Sequence, residues 1–416
     1  MKTCVVGLGK VGLPLAVQYA SRGLSVIGCD IDASRVERIN AGDCPIAGEA
    51  GLEAALGAAI ASGRLRATSD TAAAVSESDV VVIIVPVGLT ASQQPDFSQL
   101  DAAVESIRAG LRPGTLVVVE TTVPVGTTRG RVGNALAGID ATLLAASPER
   151  LTTGRIFQDL KAYPKIVGAI DDESWSRAHA FYTNALEAPD VVRVADPETA
   201  ELSKLAEGVY RDVNIALAGE LARYADELGI DVTEAIAAAN SQPFSHLHQP
   251  GVGVGGHCLP VYPYFLPAGA ALRLPAAARA ANDAMADYGV GKLEQAIGSL
   301  RGATVLVLGL AYRANVKEAA HSSALLLVEA LRQRGARPII HDPLYSDDEV
   351  RELGLEPAGE LPPPRIDALI VQAWHDVYRN LDLASFTGCR ALLDGRNALD
   401  RTAVEAAGMQ YLGIGR

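Results

Sequence analysis

The chain is 416 residues long, 49% hydrophobic and 20% charged, with a formal net charge of −13. That length exceeds what one hydrophobic core sustains, so two or three domains of an ordinary soluble protein are expected. The acidic balance excludes the broad basic surfaces that nucleic acid or an anionic membrane would select, and no apolar run reaches membrane-spanning length.

Residues 3–32 read as strand, glycine turn, helix and strand. Thr3 to Gly7 leads into Gly7-Leu8-Gly9-Lys10-Val11-Gly12, an apolar helix follows through Ala20, and Ser25-Val26-Ile27-Gly28-Cys29-Asp30 closes the unit. A GxGxxG alone is a weak signal. Here it closes a strand, opens a helix and is followed about twenty residues later by an acid, which is the context of a dinucleotide site. The glycines let backbone reach a pyrophosphate at the helix N-terminus, and Asp30 suits the ribose diol. The acid would repel a 2′-phosphate, so the expected cofactor is NAD and not NADP. No signal-peptide pattern precedes Cys4-Val5-Val6, and the expected compartment is the cytoplasm.

Further parallel strands are expected at Val80 to Val85, Leu116 to Thr122 and Ile166-Val167, from their β-branched runs. Helical stretches such as Leu100 to Leu111 alternate with them, giving a doubly wound sheet whose ligands lie beyond the strands' C-terminal ends. From Pro197 to Gly229 the pattern is one long helix without an internal proline, which predicts a spine between domains and a dimer surface. Lys204, Gly208, Arg211 and Ile215 share one of its faces.

Four glycines in six residues, Gly251, Gly253, Gly255 and Gly256, then lead into His257-Cys258-Leu259-Pro260. Glycine this dense marks positive φ or close approach, and a bound ligand is the simplest cause. The five cysteines, Cys4, Cys29, Cys44, Cys258 and Cys389, are an odd number without CxxC spacing. They read as free thiols, not as a disulfide framework or a zinc cage, and no metal is expected. Ala303 to Leu310 opens a second α/β unit, with a helix from Ala324 to Gly335 and strands at Pro338 to Pro343, Asp367 to Val371 and Leu392 onward.

The stretch Ser245-His246-Leu247-His248-Gln249-Pro250 with GVGVGGHCLPVYPYFL resembles the catalytic-cysteine loop of the nucleotide-sugar 6-dehydrogenases, the UDP-glucose/GDP-mannose dehydrogenase family. The likeness runs the length of the chain, through ETTVPVGTT around Thr122, Ser147-Pro148-Glu149-Arg150-Leu151, the YRDVNIA helix, GLAYR, HDP and DGRN. It implies two Rossmann-like doubly wound α/β domains joined by a long central helix and a helical middle region. The boundaries are then 1–195 for the NAD-binding domain, 196–298 for the helical and dimerisation region with the cysteine loop, and 299–416 for a C-terminal nucleotide-sugar-binding domain. Gly7, Gly9, Lys10, Val11, Gly12, Asp30, Val85 and Thr122 are the implied cofactor set. Arg35 reads as either an adenosine contact or a surface helix charge. Glu149, Arg150, Leu151, Lys204, Arg211, Asn214, Gly255, Arg313 and Arg396 would meet the substrate.

The implied reaction takes a primary alcohol to a carboxylate, with Cys258 trapping the intermediate aldehyde as a thiohemiacetal and then a thioester. Lys204 would favour the thiolate and the developing oxyanion, Glu149 would polarise water, and Thr122 would sit beside the reacting carbon. Four departures from the family pattern stand out. Val87 replaces a threonine, Gly208 an asparagine, Tyr262 an aspartate and Ala320 an arginine. A phenol, with an ordinary pKa of about 10, is no base at neutral pH, so that role falls to Glu149 or Lys204. HCLPVYPYFL and YRDVNIA resemble the UDP-N-acetylhexosamine (mannosamine or glucosamine) branch. UDP-glucose or another NDP-hexose as substrate, a one-step hydroxy-acid dehydrogenase and a catalytically silent nucleotide-sugar binder remain the alternatives. The expected partners are the nucleotide sugar and a second copy of the chain, with neither nucleic acid nor membrane.

Overall fold

The computed structural model describes residues 1–266 and 272–416, and the chain divides into two compact units. The first comprises Met1–Glu207 with Tyr264–Leu266, and the second Gly208–Pro263 with Pro267–Arg416. The helix Pro197–Leu228, 32 residues long, runs from one into the other.

In the first unit the sheet strands are β1 (Lys2–Val6), β2 (Ser25–Cys29), β3 (Leu65–Thr68) and β4 (Val80–Ile83). A two-residue hairpin follows, β5 (Gly88–Leu89) and β6 (Pro95–Asp96), and then β7 (Leu116–Val119), β8 (Leu143–Ala146), β9 (Lys165–Ala169) and β10 (Val191–Val194). The eight-stranded order is β10-β9-β8-β7-β4-β1-β2-β3, so strand order reverses between β1 and β4. That switch point opens a crevice at the strands' C-terminal ends. β4, β7 and β8 are buried along their whole length, as the continuous apolar runs require when helices cover both faces.

One expectation fails. The strand around Ile166-Val167 runs antiparallel to β8, with Ala145 opposite Ala169 and Ala146 opposite Gly168. The seven-residue helix Ile156–Ala162 before it is too short to carry the chain back across the sheet, so β9 re-enters from the end where β8 stopped. This reversal delivers Lys165, the first residue of β9, to the C-terminal edge of the sheet.

The second unit's sheet is all parallel, β11 (Thr304–Leu308), β12 (Arg337–His341), β13 (Ala368–Val371), β14 (Ala391–Asp394) and β15 (Gln410–Gly413), in the order β12-β11-β13-β14-β15. Its first turn repeats that of the first unit. Gly7 has φ +100° and donates to Cys29 O at 2.8 Å, and Gly309 has φ +100° and donates to His341 O at 2.8 Å. Leu8 then donates to Asp30, and Leu310 to Asp342, at 2.9 and 2.8 Å. Among the described residues, no helix is long and apolar enough to cross a membrane.

Candidate active site

In the first unit, a Cβ on Gly7 would lie 2.9 Å from Ile84 O, and one on Gly12 only 1.9 Å from Gly7 O, so both positions need glycine. Nothing lies within 4 Å of a Cβ built at Gly9, which leaves open space where a pyrophosphate meets a helix N-terminus. Lys10 is exposed and Val11 half-buried beside it. The Asp30 carboxylate accepts from Leu8 N at 2.9 Å, from Asp32 N at 3.0 Å and from Arg35 Nη1 at 2.9 Å. Arg35 is thus bound to the acid that follows β2. At the end of β4, the Val85 carbonyl accepts from Thr121 Oγ1 at 2.7 Å, and Thr122 beside it is buried. An open glycine turn with a carboxylate at the next strand's end fits NAD, which would supply the hydride acceptor.

The loop after Thr122 is fixed by a residue that sequence reasoning missed. Glu201, 1% exposed on the long helix, accepts from Gly126 N at 2.6 Å and Thr128 N at 2.7 Å. Lys204, half-buried, follows one turn later on the same helix. Glu207, another turn on, pairs with Arg150 at 2.6 Å, and Leu151 beside Arg150 is half-buried.

Glu149 is held in a cluster that was also missed. Its backbone N–H donates to Glu120 O at 3.1 Å, and its side chain accepts from Lys165 Nζ. Lys165 Nζ also lies 3.4 Å from Glu120 Oε1, and 4.8 Å from the centre of the Tyr182 ring. Glu120 Oε1 accepts from the hydroxyls of Tyr19, at 3.0 Å, and Tyr182. All five side chains are buried. Burial pushes the Glu120 carboxyl up to about 8, with Lys165 opposing that rise and Glu149 adding to it.

In the second unit the dense glycines pack against the chain itself, on side chains and backbone, which gives their density a cause besides a bound ligand. A Cβ on Gly253 would lie 2.9 Å from Ser323 Cβ, and one on Gly255 would lie 2.7 Å from Tyr312 Cβ and 2.8 Å from His321 O. Val252 N donates to Gly395 O at 3.0 Å, and Gly256 N to Ala320 O at 2.9 Å. At the end of this loop, Cys258 is exposed, and its carbonyl accepts from Val261 N and Tyr262 N at 3.1 and 2.8 Å. Arg396 braces the loop: Nε donates to Gln372 O at 2.5 Å, Nη1 to Gly253 O at 3.2 Å and Nη2 to Ser323 Oγ at 3.1 Å. Arg313 is half-buried, its guanidinium 5.7 Å from the centre of the Tyr312 ring. Asn214 holds the preceding loop, donating to His246 O at 2.7 Å and accepting from His248 N at 2.8 Å, and Arg211 is exposed one turn before it.

A dinucleotide cradle, a second Rossmann-like sheet and an exposed thiol on a glycine loop define an NAD-dependent nucleotide-sugar dehydrogenase, and comparison with known proteins agrees. Residues 1–186 match the NAD binding domain of the UDP-glucose/GDP-mannose dehydrogenase family, 198–284 its central domain and 306–401 its UDP binding domain. The chain belongs to that family. It is 33% identical over 430 aligned positions to a UDP-N-acetyl-D-mannosamine dehydrogenase of Pyrococcus horikoshii, covering 100% of this chain and 99% of that one. It is 34% identical over 395 positions to an NDP-N-acetyl-D-galactosaminuronic acid dehydrogenase of Ralstonia nicotianae, covering 91% and 92%. The structure of a UDP-glucose dehydrogenase from Pyrobaculum islandicum superposes with a TM-score of 0.88 at 32% identity, covering 100% and 97%.

Proposed function

We propose that this chain oxidises the C6 hydroxyl of a UDP-N-acetylhexosamine to the uronate in two NAD-dependent steps, through a thioester on Cys258. The observation that carries the reading is the exposure of Cys258. Cys4, Cys29 and Cys389 are buried, as packing thiols are, whereas this one ends a loop whose backbone is fastened to the second sheet. The Cys258 thiolate adds to the C6 aldehyde left by the first oxidation, giving a thiohemiacetal, and the second oxidation leaves the thioester. Water then adds to the thioester carbonyl as the C–S bond breaks. Its proton passes to Glu149, and Cys258 leaves as the thiolate. Lys204 stabilises the oxyanion at each addition, and Thr122 positions the reacting carbon. Arg313 supplies guanidinium donors for the diphosphate and Arg396 for the nucleotide, Arg150 borders the sugar, and Arg211 completes the substrate set.

The sugar class rests on the motif likeness and on the two relatives that act on N-acetylhexosamine nucleotides, which favour an N-acetylhexosamine over glucose. An assay of NADH formation over UDP-, GDP- and dTDP-linked sugars tests it, with NADH counted per sugar consumed. Two NADH per UDP-N-acetylhexosamine is the expected result. One NADH per sugar would replace the four-electron reaction with a simple alcohol dehydrogenation, and none would leave a binding protein.

A further inference from the structure

We propose that Lys165 is the positioning residue of the hydrolytic step: its ammonium fixes Glu149 beside a pocket sized for one water, and is itself fixed from behind by Glu120. The inference rests on the reading of Glu149 as the group that takes the proton from water. The pocket has a volume of about 20 Å³ and is lined by Pro148, Glu149, Arg150, Tyr163, Pro164 and Lys165, among others. A water needs only about 10–15 Å³ on the same measure, together with polar partners, which Glu149 and Lys165 provide.

The arrangement follows from charge. Two carboxylates, Glu120 and Glu149, share one buried ammonium, and a second uncompensated negative charge in that interior would be costly. Glu120 relieves it by holding a proton near neutral pH, since burial raises its carboxyl to about 8 even against Lys165. The lysine charge is then directed at Glu149 alone, which it holds by a direct hydrogen bond. Lys165 has little freedom to leave, bonded to Glu149, close to Glu120 and lying over the Tyr182 ring. The groups facing this ammonium are those two acids and the hydroxyl-bearing Tyr182, with Tyr19 behind Glu120 and Ser147 beside Tyr182. They come from the helices Gly12–Ser21 and Asp172–Ala185 and from the ends of β7, β8 and β9, so the site exists only because β9 reverses direction.

The test compares Lys165→Met and Lys165→Arg with the wild type in pre-steady-state NADH formation and in kcat against pH. In Lys165→Met, the ammonium that holds the acid beside the water pocket is lost, and the acid limb of kcat moves to higher pH. Hydrolysis becomes rate-limiting, and a burst of two NADH per site precedes a steady state at least about 10-fold slower, a part of the roughly 100- to 10,000-fold that general-base catalysis contributes. Lys165→Arg, which keeps the charge, brings the limb back. If Lys165→Met does not fold, Lys165→Met with Glu120→Gln leaves no unpaired acid behind Glu149 and carries the same expectation. An acid limb in the folded variant identical to that of the wild type, with no covalent adduct accumulating, would overturn the proposal. Failure of the underlying reading looks different: the wild type itself would release one NADH per sugar or form no adduct on Cys258.

Discussion

Gly208 and Tyr262 are complementary: a Cβ built on Gly208 would stand 3.4 Å from Tyr262 Cδ2 and 3.7 Å from Tyr262 Cβ. The tyrosine ring occupies the volume that a larger side chain on the helix would need. A single methyl is in ordinary van der Waals contact there, and glycine in a helix interior costs roughly 1 kcal/mol relative to alanine. Gly208→Ala should therefore raise the unfolding free energy by about 0.5–1 kcal/mol in denaturant titration. Gly208→Asn should lower it, and Gly208→Asn with Tyr262→Asp should recover the loss. Equal destabilisation by Ala and Asn would mean that the ring does not set the limit.

Asp30 holds Arg35 at 2.9 Å, so the acid that suits a ribose diol also restrains the cation nearest to it. Asp30→Ala should weaken NAD use by removing the diol acceptor and, by freeing the guanidinium, admit a 2′-phosphate. The ratio of kcat/KM for NAD to that for NADP should fall at least about 10-fold, which corresponds to about 1.4 kcal/mol of differential binding. Asp30→Ala with Arg35→Ala should lose the gain with NADP. Were wild-type protein to use both cofactors equally, the role of Asp30 would be void.

Glu120 predicts a pH dependence of stability. Its carboxyl is raised by burial to about 8 in the folded protein, above its ordinary range, so the folded state binds the proton more tightly than the unfolded chain does. The stabilising contribution is complete below the unfolded pKa of about 4.3, and is lost as pH rises towards about 8. Glu120→Gln, which cannot ionise, should flatten the fall in melting temperature between those limits. A wild-type curve without that fall would show the acid to be ionised throughout.

The legible parts of the molecule were those whose chemistry lies within one short stretch. The glycine turn, Asp30 at the end of the next strand and the dense glycines before Cys258 announce themselves through local spacing, and the loop carrying Glu149 through its likeness to the family's motif. Tyr19, Glu120, Glu149, Lys165 and Tyr182 form one buried cluster from five separate segments, with no spacing to betray it. Lys165 depends further on the antiparallel entry of β9, and a run of β-branched residues has no direction. The glycine loop signalled close approach without naming the neighbour, which proved to be Tyr312, His321 and Ser323. Gly208 and Tyr262 were each visible as departures, yet their contact needed the fold.

The long helix carries an apolar stripe that is exposed among the described residues. Tyr210, Leu217 and Tyr224 recur every seven residues and are 58%, 44% and 59% exposed, with Leu228 one turn beyond at 54%. Seven-residue spacing keeps side chains on one helical face, and an exposed stripe of that length is matched most simply by the same stripe on a second copy. The expected state is a homodimer in sedimentation experiments, and Leu217→Glu with Tyr224→Glu should convert it to a monomer. A compact wild-type monomer at micromolar concentration would rule the dimer out.

Cys258→Ser tests the covalent route directly. Because Cys258 is exposed, serine there should cost the fold little, and a loss of activity reads on chemistry and not on packing. The substituted hydroxyl is a far weaker nucleophile than a thiolate at neutral pH, and an ester formed through it hydrolyses more slowly than a thioester. Steady-state turnover should fall at least about 100-fold, while the first oxidation remains measurable as up to one NADH per site. Any adduct that forms should persist, visible as a mass increment of the bound sugar on the peptide containing residue 258. Folded Cys258→Ser protein producing two NADH per sugar at the wild-type rate would remove covalent catalysis and leave a hydrated aldehyde to give its hydride to NAD with Lys204 and Glu149 assisting, a route in which residue 258 plays no chemical part.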